Sequence, residues 1–251
     1  MNRSTSALSK VPEVTLLFWI IKIAATTLGE TGGDLVSMSL NWGYLLSTLL
    51  FAVLFALMVV VQIKAKIFHP LIYWLTIIAT TTVGTTLADF TDRSLGIGYM
   101  GGVLLLSSLL VLSLLTWYFT LGNIGVDSIT TAKAECFYWL TILFSQTLGT
   151  ALGDWTADSL AWGYEGAALF FSILLSIIAL IYLGTKKYHV LLFWAAFILT
   201  RPLGAVVGDF LDKPLNQGGL ALSRYSASAL LFVFILLCIF LFKQKPAQTS
   251  H

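Results

Sequence analysis

A four-fold internal repeat constrains this chain more than any other feature. Trp19, Gly29, Asp34 and Gly43 recur as Trp74, Gly84, Asp89 and Gly98, then as Trp139, Gly149, Asp154 and Gly163. The fourth set is Trp194, Gly204, Asp209 and Gly218. Counted from the first glycine, the offsets in every set are −10, 0, +5 and +14. Chance does not produce this, and a repeat fixes architecture before any local propensity is weighed, because each copy is one structural unit.

Composition says what the unit is. The 251 residues are 58% hydrophobic and 10% charged, where soluble domains average roughly 25% charged. Apolar runs of about 20 residues cross a ~30 Å hydrocarbon core as helices. The expected fold is therefore all-α: a polytopic membrane protein with eight transmembrane helices as four parallel two-helix repeats. The first helices are expected over 14–34, 70–89, 135–154 and 189–209, and the second over 43–62, 99–120, 164–183 and 221–242. An amino-terminal tail (1–13), a linker (121–133) and a carboxy-terminal tail (243–251) frame two membrane halves, 14–120 (repeats 14–64 and 70–120) and 134–242 (repeats 134–184 and 189–242). Lys22 interrupts the first apolar run, and that run aligns with three internal ones, so it reads as a retained helix rather than a cleaved leader. Cys136 and Cys238 lie far apart in apolar runs without metal-ligand spacing and read as small core residues.

Nine of the fourteen basic residues (Arg3, Lys10, Lys64, Lys66, Lys133, Lys186, Lys187, Lys243 and Lys245) fall on the side of the termini. Short basic loops stay in the cytoplasm. Both termini are expected there, with the glycine–aspartate ends of the first helices outside. The repeats also pair at an offset of 120 residues: Ser39–Tyr44 resembles Ser159–Tyr164, Asp89-Phe90-Thr91-Asp92-Arg93 resembles Asp209-Phe210-Leu211-Asp212-Lys213, and His69 matches His189. Duplication of a hairpin and then of its four-helix product explains this. Units with an even number of spans are parallel, related by an axis along the membrane normal.

With Trp19, Trp74, Trp139 and Trp194 in place, the chain resembles a bacterial membrane-protein family built from four tandem repeats, each with two spans and a characteristic tryptophan. The resemblance covers nearly the whole chain. It implies the architecture and a bacterial inner-membrane location; the family has no assigned activity to carry over.

The glycine pairs Gly29/Gly33, Gly149/Gly153 and Gly204/Gly208, with Gly84 followed by Ala88, put small residues four apart, which lets helices approach closely. They are expected to pack an inner ring of first helices, with the second helices outside. Asp34, Asp89, Asp154 and Asp209 either cap the turns that follow or converge on a wet interior, where carboxylates are hard-oxygen ligands for a cation. They are the candidate metal ligands. Asp92, Asp158 and Asp212 follow three or four residues on. Thr27, Thr82 and Thr147, with Thr26 and Thr81 beside them, either line a polar path or bond their own helix carbonyls. Arg201-Pro202 replaces the threonine pair in the fourth repeat, where proline is expected to remove a backbone bond and kink the helix.

Lys22, Glu30 and Arg201 are charged where the other copies are neutral. If the repeats close into a ring, Glu30 or Asp34 can reach Arg201, as a structural pair or as a coupling site. Trp42, Trp162, Tyr44, Tyr99 and Tyr164 read as interfacial belt residues, and His69 and His189 as interface residues. Phosphate loops, zinc-protease motifs and nucleic-acid-like basic patches are absent from the sequence. The expected function is a gradient-coupled carrier of a small cation, conceivably a divalent metal. It is not an enzyme, needs no cofactor, and has the lipid bilayer and a small ion as partners. The alternatives are an anion or organic-acid carrier using Lys22 and Arg201, and a non-transport scaffold or sensor.

Overall fold

The computed structural model describes residues 9–185 and 187–247; Arg3 and Lys186, two of the nine basic residues on the terminal side, lie outside it. Eight α-helices follow in order: α1 (Leu16–Asp34), α2 (Gly43–Lys64), α3 (Pro70–Asp89), α4 (Gly98–Leu121), α5 (Ala132–Asp154), α6 (Gly163–Gly184), α7 (His189–Asp212) and α8 (Arg224–Leu241). Six are long and apolar enough to cross a membrane, α1 and α5 being the two that are not. Those two carry Lys22, Glu30 and Asp34, and Lys133, Glu135 and Asp154, and they lie inside the bundle. Helix starts follow local chemistry. The Thr15 hydroxyl accepts from the Phe18 amide at 3.3 Å, Thr131 caps α5, and Pro70 opens α3, where its missing N–H costs nothing. α5 thus starts inside the expected linker, and α8 starts at Arg224 rather than at 221.

The odd-numbered helices form a closed ring, α1 on α3, α3 on α5, α5 on α7 and α7 on α1. Each even-numbered helix packs outside, on the first helix of the next repeat: α2 on α3, α4 on α5, α6 on α7 and α8 on α1. The repeated glycines explain the ring. A Cβ on Gly29 would strike Thr81, one on Gly84 would strike Gln146, one on Gly149 would strike Arg201, and one on Gly204 would strike Thr26. Those four residues share the −3 position of their repeats, so each repeat seats its −3 residue on the previous repeat's glycine, and repeat one closes onto repeat four. Gly33, Gly153 and Gly208 do the same for the +1 residues Thr85, Ala205 and Glu30. Outward faces of the even helices carry leucines and valines, Leu46, Leu104, Leu169 and Leu230 among them, all exposed as lipid-facing residues must be.

Three of the first helices end in a short π-helical turn, Leu35–Ser39, Phe90–Ser94 and Trp155–Ser159. The chain then reverses through the repeated +14 glycine, whose φ is +72° at Gly43, +69° at Gly98, +66° at Gly163 and +83° at Gly218. That left-handed backbone is why the position is glycine in every copy. The fourth repeat lacks the π turn. α7 stays helical to Asp212, with Pro202 inside it.

The repeated tryptophans build an aromatic collar at the terminal end. Phe18 packs on Trp74 (ring centroids 5.4 Å), Tyr73 on Trp139 (5.7 Å), Tyr138 on Trp194 (6.2 Å) and Phe193 on Trp19 (6.0 Å), again each repeat on the next. Such pairs contribute roughly 0.5–1.5 kcal/mol each beyond their buried area. Below the collar the connecting segments form a plug. Trp74 donates to Gln244 at 2.8 Å and Trp194 to the Ile124 carbonyl at 3.1 Å, equivalent bonds 120 residues apart. Residues 9–13 and 243–247 are not free tails: Glu13 donates to the Lys245 carbonyl, Ala247 donates to that of Val11, and Lys10 pairs with Glu135 at 2.5 Å.

Candidate functional site

Residues four apart on the inner helices stack as layers, each spanning all four repeats and each about 6 Å from the next. From the terminal end they are Phe18/Tyr73/Tyr138/Phe193, then Lys22/Ile77/Ile142/Phe197, then Thr26/Thr81/Gln146/Arg201. Glu30/Thr85/Thr150/Ala205 and the four aspartates complete the column. Every one of these residues is buried, none more than 4% exposed. The column is aromatic and apolar at the terminal end and wholly acidic at the other.

Arg201 stands at the centre. Its guanidinium reaches all three other inner helices: Glu30 on α1 at 3.0 Å, Thr85 on α3 at 2.6 Å, Thr150 on α5 at 2.5 Å, with the Thr26 carbonyl at 3.4 Å. Ring closure brings Glu30 and Arg201 together, as their symmetry-breaking charge suggests. Lys22 does not join them. Its Nζ lies 4.1 Å from the Phe197 ring centre with no hydrogen-bond partner among the described residues.

The aspartates converge in two pairs, each bridged by one cation. Lys213 Nζ lies 3.0 Å from both Asp34 and Asp209, and Arg93 lies 3.1 Å from both Asp89 and Asp154. Arg224 adds a contact of 3.6 Å to Asp34 and one of 2.8 Å to Asp212. Burial works against the Lys213 ammonium, but Asp209, Asp34 and Asp212 outweigh it and hold its pKa above the usual lysine range, so it stays charged. One carboxylate oxygen each from Glu30, Asp34 and Asp209 lies within 4.8 Å of the others, close enough to share a metal ion. Lys213 stands beside two of them, so a metal would displace it.

A cavity of about 900 Å³ opens above this layer, lined by Arg93, Lys213, Arg224, Tyr44, Tyr99 and Tyr164 among others. The three tyrosines are therefore not belt residues. Tyr44 accepts from Arg93 at 3.3 Å and Tyr99 donates to Asp158 at 3.2 Å. Trp42 and Trp162 remain about half exposed.

Other expected site residues fall elsewhere. Thr27, Thr82 and Thr147 bond the Ile23, Ile78 and Leu143 carbonyls of their own helices at 3.0, 2.7 and 2.9 Å and take no part in the column. Asp92 packs beneath Gly102 of α4, Asp158 meets Tyr99, and Asp212 meets Arg224. His189 bonds the Thr185 carbonyl at 2.8 Å. Residues that sequence reasoning missed are Arg93 and Lys213 as partners of the aspartates, and Thr85 and Thr150 as partners of Arg201. The signal was present: Arg93 and Lys213 each follow an aspartate by four residues and lie 120 apart.

Comparison with curated proteins gives no match, and neither does comparison with solved structures. A family match covers nearly the whole chain in four stretches, 17–68, 72–123, 137–188 and 192–245. Each stretch holds one inner helix with its tryptophan and aspartate and the outer helix that follows, so the chain belongs to the family described as Repeat of Unknown Function (DUF347), with four copies in tandem.

Proposed function

We propose that the protein is a gradient-coupled carrier of a small cation, with the aspartate layer as its site and Arg93 and Lys213 as tethered cations that the substrate displaces. The observation that carries this is the convergence of four symmetry-equivalent buried aspartates directly behind an open mouth. Six carboxylates (Asp34, Asp89, Asp154, Asp158, Asp209 and Asp212) stand there against three cations (Arg93, Lys213 and Arg224), an excess of negative charge that draws cations in. Buried ionisable groups in a membrane are costly and are read as functional. Glu30 with Arg201, one layer deeper, is the coupling pair. The substrate is a monovalent or divalent metal ion, the latter favoured by hard oxygen donors.

The protein works as a carrier and not as an enzyme, in a bacterial inner membrane, with the lysine-rich terminal end in the cytoplasm and the mouth outside. The anion-carrier alternative is less well supported, because both terminal nitrogens of the Arg201 guanidinium are committed to Glu30, two threonine hydroxyls and the Thr26 carbonyl, leaving only Nε. The test is ion flux into proteoliposomes across a panel of metal ions. Asp154→Asn with Asp209→Asn is expected to cut flux of the transported ion at least tenfold while the protein still elutes as a folded species. Unchanged flux in that folded variant would end the cation reading.

A further inference from the structure

The Arg201 layer and the Lys22 layer below it hold a set of polar groups that carrier chemistry at the aspartates does not use. Lys22 Nζ, the Thr81 hydroxyl, both amide atoms of Gln146 and Arg201 Nε have no hydrogen-bond partner among the described residues, and all four side chains are 0% exposed. Thr81 is an exception on its own helix. Thr80, Thr82 and Thr85 give their hydroxyls to carbonyls four residues back, and Thr86 does so at 3.4 Å. Leaving a buried polar group unpaired costs roughly 1–3 kcal/mol, and four neighbouring side chains left so in adjacent layers call for a shared partner.

The inventory of donors says which partner. An ammonium, a guanidinium N–H, an amide NH₂ and a hydroxyl can all donate, while the Gln146 amide oxygen is the one dedicated acceptor. Charge points the same way. Across the layers from Lys22 to Glu30, α3 and α5 supply no charged residue, α7 supplies Arg201, and α1 supplies Lys22 and Glu30. Glu30 is spent on Arg201, so a charged ammonium at Lys22 would have no carboxylate to answer it. Asp34 is twelve residues from Lys22, about 18 Å along α1, too far to touch it.

We infer that Lys22, Thr81, Gln146 and Arg201 bind a small inorganic anion of halide size, held in mid-membrane between the coupling pair and the Ile77/Ile142/Phe197 layer. Water would satisfy the donors, but only an anion would also hold the buried Lys22 in its charged form. This site stands apart from the aspartate layer and does not depend on what that layer carries.

The test compares thermal unfolding of the detergent-purified protein in sodium chloride, sodium bromide and sodium gluconate at equal ionic strength. Wild type is expected to unfold about 3 °C or more higher in the halides. Lys22→Met is expected to lose that shift, while its unfolding temperature in gluconate is no lower than that of wild type. Gln146→Leu and Thr81→Val, which leave the lysine in place, serve as the second route and should each shrink the halide shift at least twofold. A wild type indifferent to halide overturns the proposal. So does a Lys22→Met protein that keeps the full shift, which would put the anion on the mouth cations instead.

Discussion

A single buried ion pair decides how the two symmetry-breaking charges are read. Removing one partner of such a pair strands the other and costs roughly 3–5 kcal/mol, whereas removing both is often close to neutral. Glu30→Gln alone is therefore expected to lower the unfolding temperature sharply, and Glu30→Gln with Arg201→Met to recover most of the loss. Thr85 can still bond the Thr81 carbonyl at 3.2 Å in the double variant, so little else is stranded. A double variant no better than the single one would mean that Arg201 is held by the threonines rather than by Glu30. The glycine on which Arg201 rests is equally informative. A Cβ at Gly149 would lie 2.5 Å from that of Arg201 and 3.1 Å from Pro202 Cδ. Gly149→Ala is expected to cost about 1–3 kcal/mol through overpacking, read as a lower midpoint of unfolding.

At the scale of the helix, the turn between inner and outer helices is set by a backbone that side chains resist. An L-residue in the left-handed region costs roughly 1–2 kcal/mol, so Gly98→Ala, at φ +69°, should destabilise by about that much. Gly101→Ala, one turn into α4 with only Ile97 nearby at 3.4 Å, should be neutral or stabilising. Equal effects at both positions would contradict the turn geometry. The helices themselves were legible in the sequence because apolar runs of this length have one stable form in a bilayer. The ring was legible because glycines four apart need a partner. What could not be read was direction around each helix. Thr26 and Thr27 are neighbours in sequence, yet Thr26 faces the fourth repeat and reaches the Thr200 carbonyl at 3.2 Å besides its own helix, while Thr27 bonds its own helix alone. Charge partners were hidden for a related reason. Arg93 reaches Asp89 within its repeat, but Asp154 only across the ring, and 61 residues of sequence give no hint of that distance. The tyrosines were misplaced because an aromatic ring near a helix end suits a lipid interface and a polar mouth equally well.

For the whole molecule, a hydrophobic shell of four outer helices surrounds a column that is acidic and open at one end and aromatic and plugged at the other. That asymmetry follows from the repeats, since each copy contributes a tryptophan at one end of its inner helix and an aspartate at the other. The column is closed at the terminal end by the collar and by segments 9–13 and 243–247, which pair with each other. The most direct measurement is labelling of single cysteines by a membrane-impermeant thiol reagent, in a Cys136→Ser, Cys238→Ala background, from the side opposite the termini. Met38→Cys in the mouth and Asp154→Cys in the aspartate layer are expected to react, with Asp154→Cys slowed at least several-fold by the transported cation, and Ile77→Cys, one layer below Arg201, to stay unlabelled. Silence at both Met38→Cys and Asp154→Cys in folded protein would mean that water does not reach the aspartates, and the column would then be nothing more than packing.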